Sequence, residues 1–393
     1  MNKRLYFAQY VGFVSLGGIS CMIGPLLPTV RNALGISLEQ AGILLSGQFM
    51  GMLPTVLIGG YLADRLGKKT FLLLGSVLLF AGLIGSMLAD GFSLLLPFIF
   101  LTGIGAGTYE IGINSLCADT NEINRGKAMN FLHFFFGIGA IASPVLVTIC
   151  ITALNRWRLS FGISAALPVI VAIILLPVGI PRQSGGKTEN SGGKTPYRDG
   201  LLWMVGGSAF FYVGVETSIY GWCSVFWSDR YVNDVIPASI LSTVFWLSLT
   251  IGRLICGKIA DRVGFSKYII GTSFLTMLSV LVWYLFPYRI VTMLVTLTSG
   301  LILAGIYPTM LASVNTCFPG DSGRVTAFIT AFTSLGGFLV PMVIGRIADR
   351  FQIAVLPAVI LSMSVLLVIL TFVTWNVVLK QRTKTLKEAE INS

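Results

Sequence analysis

The chain has 393 residues, 55% of them hydrophobic and 11% charged, with a mean hydropathy of +0.85. Soluble domains carry about 25% charged residues, so this composition excludes a soluble protein and with it a soluble enzyme. The net charge of +11 does not point to nucleic acid, because the basic residues sit in short connections between apolar runs, as in the cytoplasmic loops of membrane proteins.

Runs of roughly 18 or more apolar residues predict membrane-spanning helices. Twelve are expected here. Six lie near 6–30, 40–63, 70–89, 92–117, 127–153 and 158–180, and six near 201–228, 237–260, 267–286, 289–316, 324–346 and 353–379. Lys3 and Arg4 resemble the start of a signal peptide, but the run behind them continues to about Val30 without an Ala-x-Ala-like cleavage site, which predicts an uncleaved first helix. Residues 181–200, rich in Gly, Ser and Lys, are the one long polar tract and read as a flexible cytoplasmic linker. The expected units are therefore 1–180 and 201–379, two six-helix bundles of an all-α membrane protein, with a charged tail over 380–393. Cys21, Cys117, Cys150, Cys223, Cys256 and Cys317 are scattered, mostly inside apolar runs, with no Cys-x-x-Cys. That usage predicts free thiols, no disulfide framework and no metal site.

The stretch Gly59-Gly60-Tyr61-Leu62-Ala63-Asp64-Arg65-Leu66-Gly67-Lys68-Lys69 recurs in weaker form from Gly257 to Gly264. Asp64 and Asp261 are separated by 261 − 64 = 197 residues, and Gly139–Gly336 and Pro144–Pro341 share that offset. Three landmarks at one spacing predict two copies of one unit. Placing both termini on one side of the membrane gathers 20 of the 27 Lys and Arg residues there, so the termini and linker are expected in the cytoplasm of a cell-membrane protein.

A charge at the bilayer centre costs about 2.5–3.5 kcal/mol on insertion scales, so ionisable residues deep in the spans are candidate functional groups. These are Glu110, His133 (the only histidine) and Glu216, with Arg253 nearer the cytoplasmic edge. Gly103, Gly107, Glu110 and Asn114 share one face of helix 4 by steps of four, three and four. A carboxyl isolated there suits loading and release of a proton; the alternative is a structural hydrogen bond at a packed helix interface. Asn130 and His133 share a face of helix 5, at a depth that allows His133 to meet Glu110, either as a proton-sharing pair or as separate packing groups. On helix 7, Tyr212, Glu216 and Tyr220 line one face beside Trp222. Aromatic rings next to a carboxylate suit a sugar, although Trp and Tyr also collect at membrane interfaces. Gln48, Trp246, Tyr307 and Asn315 are lesser candidates; the first three join Asn114, Asn130, Tyr212, Glu216 and Trp222 as the residues expected to bind substrate. Pro308 stands where the repeat would place the counterpart of Glu110, so the proposed proton site has no partner in the second half.

Asp64, Arg65, Asp261 and Arg262 sit at expected cytoplasmic helix ends, where carboxylates cap helices and Arg pairs with Asp119 or Glu122. With Arg125, they are expected to latch the cytoplasmic side in an outward-open state; a purely topological role for these charges is the alternative.

Two six-helix halves, a cytoplasmic linker and the motif Gly60-x-Leu62-Ala63-Asp64-Arg65-x-Gly67-Lys68-Lys69 resemble the major facilitator superfamily over nearly the whole chain. That resemblance implies alternating access, two bundles rocking about a site near the bilayer midplane. Gly105-x-Gly107-x-x-Glu110-x-x-x-Asn114, Asn130-x-x-His133-x-x-x-Gly137-x-Gly139-Ala140 and Tyr212-x-Gly214-x-Glu216-x-x-x-x-Gly221-Trp222 are similar to the fucose–galactose–glucose:proton symporters. This implies that Glu110 is a proton- or sugar-linked carboxyl. Helix 1 lacks the acidic residue that fucose-type members carry, so coupling would rest on Glu110 with Glu216 or His133. The expected partners are a small-molecule substrate, protons or sodium, and the lipid bilayer, with no nucleic acid and no cofactor, in a monomer. The rival expectations are a proton-coupled drug or metabolite exporter and a lipid-handling or sensor protein on the same fold. Nucleotide-driven pumping is not expected, as no phosphate-binding loop appears.

Overall fold

The computed structural model describes residues 3–121, 125–179, 197, 199–231, 234–318 and 322–391. Their apolar runs form helices, since a backbone out of reach of water must satisfy its N–H and C=O groups within its own segment. In chain order these are α1 (Lys3–Ser20), α2 (Ile23–Leu34), α3 (Leu38–Leu66), α4 (Lys68–Leu88), α5 (Phe92–Thr120), α6 (Arg125–Thr152), α7 (Leu159–Ser164), α8 (Ala166–Leu175), α9 (Gly200–Arg230), α10 (Ser239–Val263), α11 (Phe265–Leu285), α12 (Arg289–Leu303), α13 (Ile306–Asn315), α14 (Ser322–Phe351) and α15 (Leu356–Ile391). A capping box starts α3, where the Gln40 N–H donates to Ser37 Oγ (3.2 Å) and the Ser37 N–H to Gln40 Oε1 (3.1 Å). Asp199 caps α9 by accepting from the Leu201 N–H at 2.9 Å.

Three runs expected as single spans are each split in two, and a proline explains each split. A proline ring clashes with the carbonyl four residues earlier. Pro25, Pro168 and Pro308 put those clashes at Cys21, Ser164 and Ala304, and the breaks fall between α1 and α2, α7 and α8, and α12 and α13. The α1–α2 break bends the run by 42°. Pro308 therefore does more than replace a carboxyl: α5 runs unbroken through Glu110, whereas its counterpart in the second half is broken just before Pro308. Pro54, Pro144 and Pro341 lie inside unbroken helices. At its other end the last span overruns expectation, because α15 continues through the charged tail to Ile391.

Among the described residues nine spans are long and apolar enough to cross a membrane, with α12 and α13 counted as one, or ten with the bent α1–α2 pair also taken as one. The apolar run 159–175 is shorter, and α9 is long enough at 31 residues but less apolar along its length. In the first half α1 packs on α6 and α3 on α5; in the second, α9 packs on α14 and α10 on α12. The halves meet where α3 lies along α14, α6 along α10 and α2 along α9.

The turn motif is built the same way twice. Gly67, between α3 and α4, has φ 84° and ψ 139°; Gly264, between α10 and α11, has φ 87° and ψ 141°. Only glycine adopts that conformation freely, and the two lie 264 − 67 = 197 residues apart. Close helix contacts repeat too. A methyl group on Gly103 would lie 2.1 Å from the Gln48 carbonyl oxygen, and one on Gly300 2.5 Å from that of Phe245. Both members of the second contact sit 197 residues after those of the first, since 300 − 103 and 245 − 48 give the same value.

Candidate functional site

A cavity of about 190 Å³ lies where the two halves meet, lined by α1, α3, α5 and α6 of the first half and α9, α10, α13 and α14 of the second. That is room for on the order of ten waters. Seven of the expected proton-coupling and substrate-binding residues line it: Gln48, Glu110, His133, Tyr212, Glu216, Trp246 and Tyr307. They come from six different helices, so tertiary packing, not proximity in sequence, gathers them.

Glu110 is held by its own helix. Asn114, one turn later on α5, donates from Nδ2 to Glu110 Oε1 at 3.0 Å. Asn114 does not line the cavity, so it acts as an anchor for the carboxylate instead of the expected substrate contact. His133 shares the cavity with Glu110, but no hydrogen bond or ion pair joins them; the imidazole instead stands edge-on to Phe13 at 5.2 Å between ring centroids. Glu216 is buried on α9, one turn after Tyr212, whose ring stacks parallel to Tyr307 at 6.4 Å. The Tyr307 hydroxyl is in turn 3.2 Å from Thr330 Oγ1 on α14. On the opposite wall Trp246 packs between Tyr220 (5.1 Å) and Phe136 (6.1 Å), and its indole N–H has no hydrogen-bond partner. Gln48 Nε2 donates to Ser20 Oγ at 3.4 Å, tying α3 to the end of α1.

Two expected substrate residues, Asn114 and Trp222, do not line the cavity. Trp222 is fully buried between α9 and the first half, in contact with the position of Gly42, and does not line the cavity. A bulky aromatic on a helical face signals packing as readily as binding, and here packing wins. The side chain of Asn130 lies outside the described residues, as do those of Arg125 and Glu122. The sequence puts Arg253 nearer the cytoplasmic edge, and the structure has it line the cavity together with Glu216 and His133. The sequence signal was present: Trp246 and Arg253 are seven residues apart, two turns along one face of α10. Thr330, Thr333 and Ser334 were also passed over, although their spacing of three and four marks one polar stripe on α14.

The gating candidates lie away from the cavity, at the end of the molecule that holds the α3–α4 and α10–α11 turns. Asp119, at the end of α5, is paired with Lys68 at the start of α4. Asp64, Arg65, Asp261 and Arg262 are exposed, and among the described residues Asp64, Asp261 and Arg262 make no ion pair. The opposite end is tied across the halves. Arg31 Nη1 lies 2.5 and 2.7 Å from the two carboxylate oxygens of Asp229, and the Leu38 N–H at the start of α3 donates to Asp349 Oδ1 at 2.9 Å. No cluster of His, Cys, Asp and Glu able to hold a metal occurs among the described residues.

The family model described as Major Facilitator Superfamily matches residues 10–341 and 229–391. The glucose/mannose transporter GlcP of Bacillus subtilis is 24% identical over 380 residues, covering 94% of both chains. The quinolone resistance protein NorA of Staphylococcus aureus is 22% identical over 373 residues, covering 89% of this chain and 91% of its own. Among solved structures, a D-xylose-proton symporter superposes with a TM-score of 0.80 at 15% identity, over 94% of this chain and 97% of that one.

Proposed function

This chain belongs to the Major Facilitator Superfamily, and from that premise we propose that it is a proton-coupled symporter of a sugar or similar small polar solute, working by alternating access. It is a multi-pass membrane transporter and not an enzyme. In this reading the spans number twelve: the nine long apolar ones, the bent α1–α2 pair, the α7–α8 run and α9. They form two bundles, 1–180 and 201–379, joined by a cytoplasmic linker over 181–200, with both termini in the cytoplasm. The positive-inside pattern of the loops supports that orientation.

One observation carries the proposal: a single cavity between the halves takes one carboxylate from each, Glu110 and Glu216, together with hydroxyls, an amide and an aromatic wall. Hydroxylated solutes need both donors and acceptors around a ring-sized apolar surface, and this wall supplies all three. A carboxyl facing such a cavity exchanges its proton with whichever side the cavity faces, which links protonation to the rocking of the bundles. The pairs at Arg31–Asp229 and Leu38–Asp349 close the extracellular end, while Asp64, Asp261 and Arg262 stand apart at the cytoplasmic end. In this reading the extracellular end is the closed one.

The test uses purified protein in proteoliposomes. An inward proton gradient drives accumulation of labelled hexose, and Glu110→Gln abolishes that uphill uptake while leaving counterflow intact. Concentrative uptake that survives Glu110→Gln removes Glu110 as the proton carrier. A second reading, proton-coupled export of lipophilic compounds, is favoured by the apolar side of the cavity, where Leu16, Phe49, Met52 and Phe136 line the wall. Dye efflux under the same gradient, without hexose uptake, supports that reading instead.

A further inference from the structure

We infer that the solute held in this cavity carries a carboxylate and that Arg253 binds it; this rests on the symport reading above and narrows its substrate class to hydroxylated acids such as hexuronates. The guanidinium of Arg253 lines the cavity and, among the described residues, makes no hydrogen bond or ion pair, with Glu216, Glu110 or any other acceptor. A cation at membrane depth is expensive to keep and is retained where it pairs with something. Neutral hydroxyls do not require it: Gln48, Ser20, Thr330 and the two glutamates already offer donors and acceptors for them. A fixed positive charge with five donors in a planar fork is instead matched by a carboxylate, which it binds through two parallel hydrogen bonds.

The placement on α10 suits one small molecule. Trp246 and Arg253 share a helix face with Cα atoms about 10 Å apart along the axis. Helical side chains lean toward the N-terminus, which brings the guanidinium back toward the level of the indole. A sugar ring against Trp246, Phe136 and Tyr220 then presents a carboxylate at its far carbon to Arg253, within the reach of a single six-carbon acid. The unpaired indole N–H is available to a ring hydroxyl on the same side.

The experiment follows initial uptake of labelled D-glucuronate and D-glucose into proteoliposomes of the full-length protein, each titrated against the other, with and without an inward proton gradient. Glucuronate is expected to half-saturate at a concentration about tenfold or more below glucose, the effect of one charge-assisted contact. Arg253→Gln lowers the glucuronate-to-glucose uptake ratio by about tenfold, whereas Arg253→Lys, which keeps the charge without the fork, retains part of the preference. Glucose preferred over glucuronate overturns the inference and leaves sugar symport standing. A loss on both solutes alike in Arg253→Gln also overturns it, assigning Arg253 to Glu216 alone. Glucuronate preference that depends on Arg253 but ignores the proton gradient keeps the inference and removes the coupling, while uptake of neither solute overturns both.

Discussion

At the scale of single residues, the buried indoles divide into those already satisfied by the protein and those that are not. The Trp283 indole donates to Thr292 Oγ1 at 3.0 Å, whereas the Trp246 and Trp222 indoles donate to nothing. Removing the Trp246 indole N–H breaks no hydrogen bond within the protein. Trp246→Phe is therefore expected to leave the melting temperature unchanged while increasing the half-saturation concentration for solute. Trp283→Phe breaks an existing hydrogen bond and is expected to lower the melting temperature; thermal melts of the two variants side by side check the contrast. Glu110 differs again. Its Asn114 partner sits one turn away on the same helix, so the carboxylate is oriented in advance without help from a second helix. The sequence placed both residues on one face but read Asn114 as a substrate contact, because spacing alone does not say whether an amide points toward a cavity or back along its helix.

At the scale of helices, packing depends on backbones brought into contact. A methyl group on Gly139 of α6 would lie 2.0 Å from the Val14 carbonyl oxygen of α1, and one on Gly17 of α1 2.1 Å from that of Phe136. Neither obstacle is a flexible side chain, so the helices must separate. Overpacking of this kind costs about 1–3 kcal/mol, and Gly139→Ala is expected to lower the melting temperature and the yield of monodisperse protein in detergent. Gly271→Ala on α11 is the comparison, since a methyl group there meets nothing within 4 Å and alanine favours a helix by about 1 kcal/mol over glycine. It is expected to melt at the same temperature or higher. The three helix breaks were legible from Pro25, Pro168 and Pro308, four residues past each break; the unbroken helices around Pro54, Pro144 and Pro341 show why a proline by itself does not fix the outcome. Neighbouring helices decide whether the freed carbonyl is accommodated.

At the scale of the whole molecule, the halves are held together at the end opposite the Asp64 and Asp261 turns. Arg31 and Asp229 each keep about a quarter of their side-chain surface exposed, at 25% and 25%. An ion pair so placed contributes about 0.2–1 kcal/mol, enough to bias a conformational equilibrium without locking it. Arg31→Ala is expected to raise the population open at that end by at most about fivefold, read as a longer spin-label distance between positions 32 and 235 by pulsed electron resonance. The Arg346–Glu39 pair nearby, 3.7 Å apart with side chains 81% and 43% exposed, contributes less. The amino-acid sequence by itself determined the membrane class, the two-fold internal repeat and the place of Glu110, His133 and Glu216 inside the apolar runs, because run length, chain offset and the scarcity of charge are read along one dimension. Only the tertiary structure decided that Arg253 joins the cavity, that Trp222 leaves it, that Asp119 pairs with Lys68 and that Arg31 pairs with Asp229 across the halves. Those outcomes depend on which helix faces meet across the two halves, and a helical period fixes a face without fixing its neighbour.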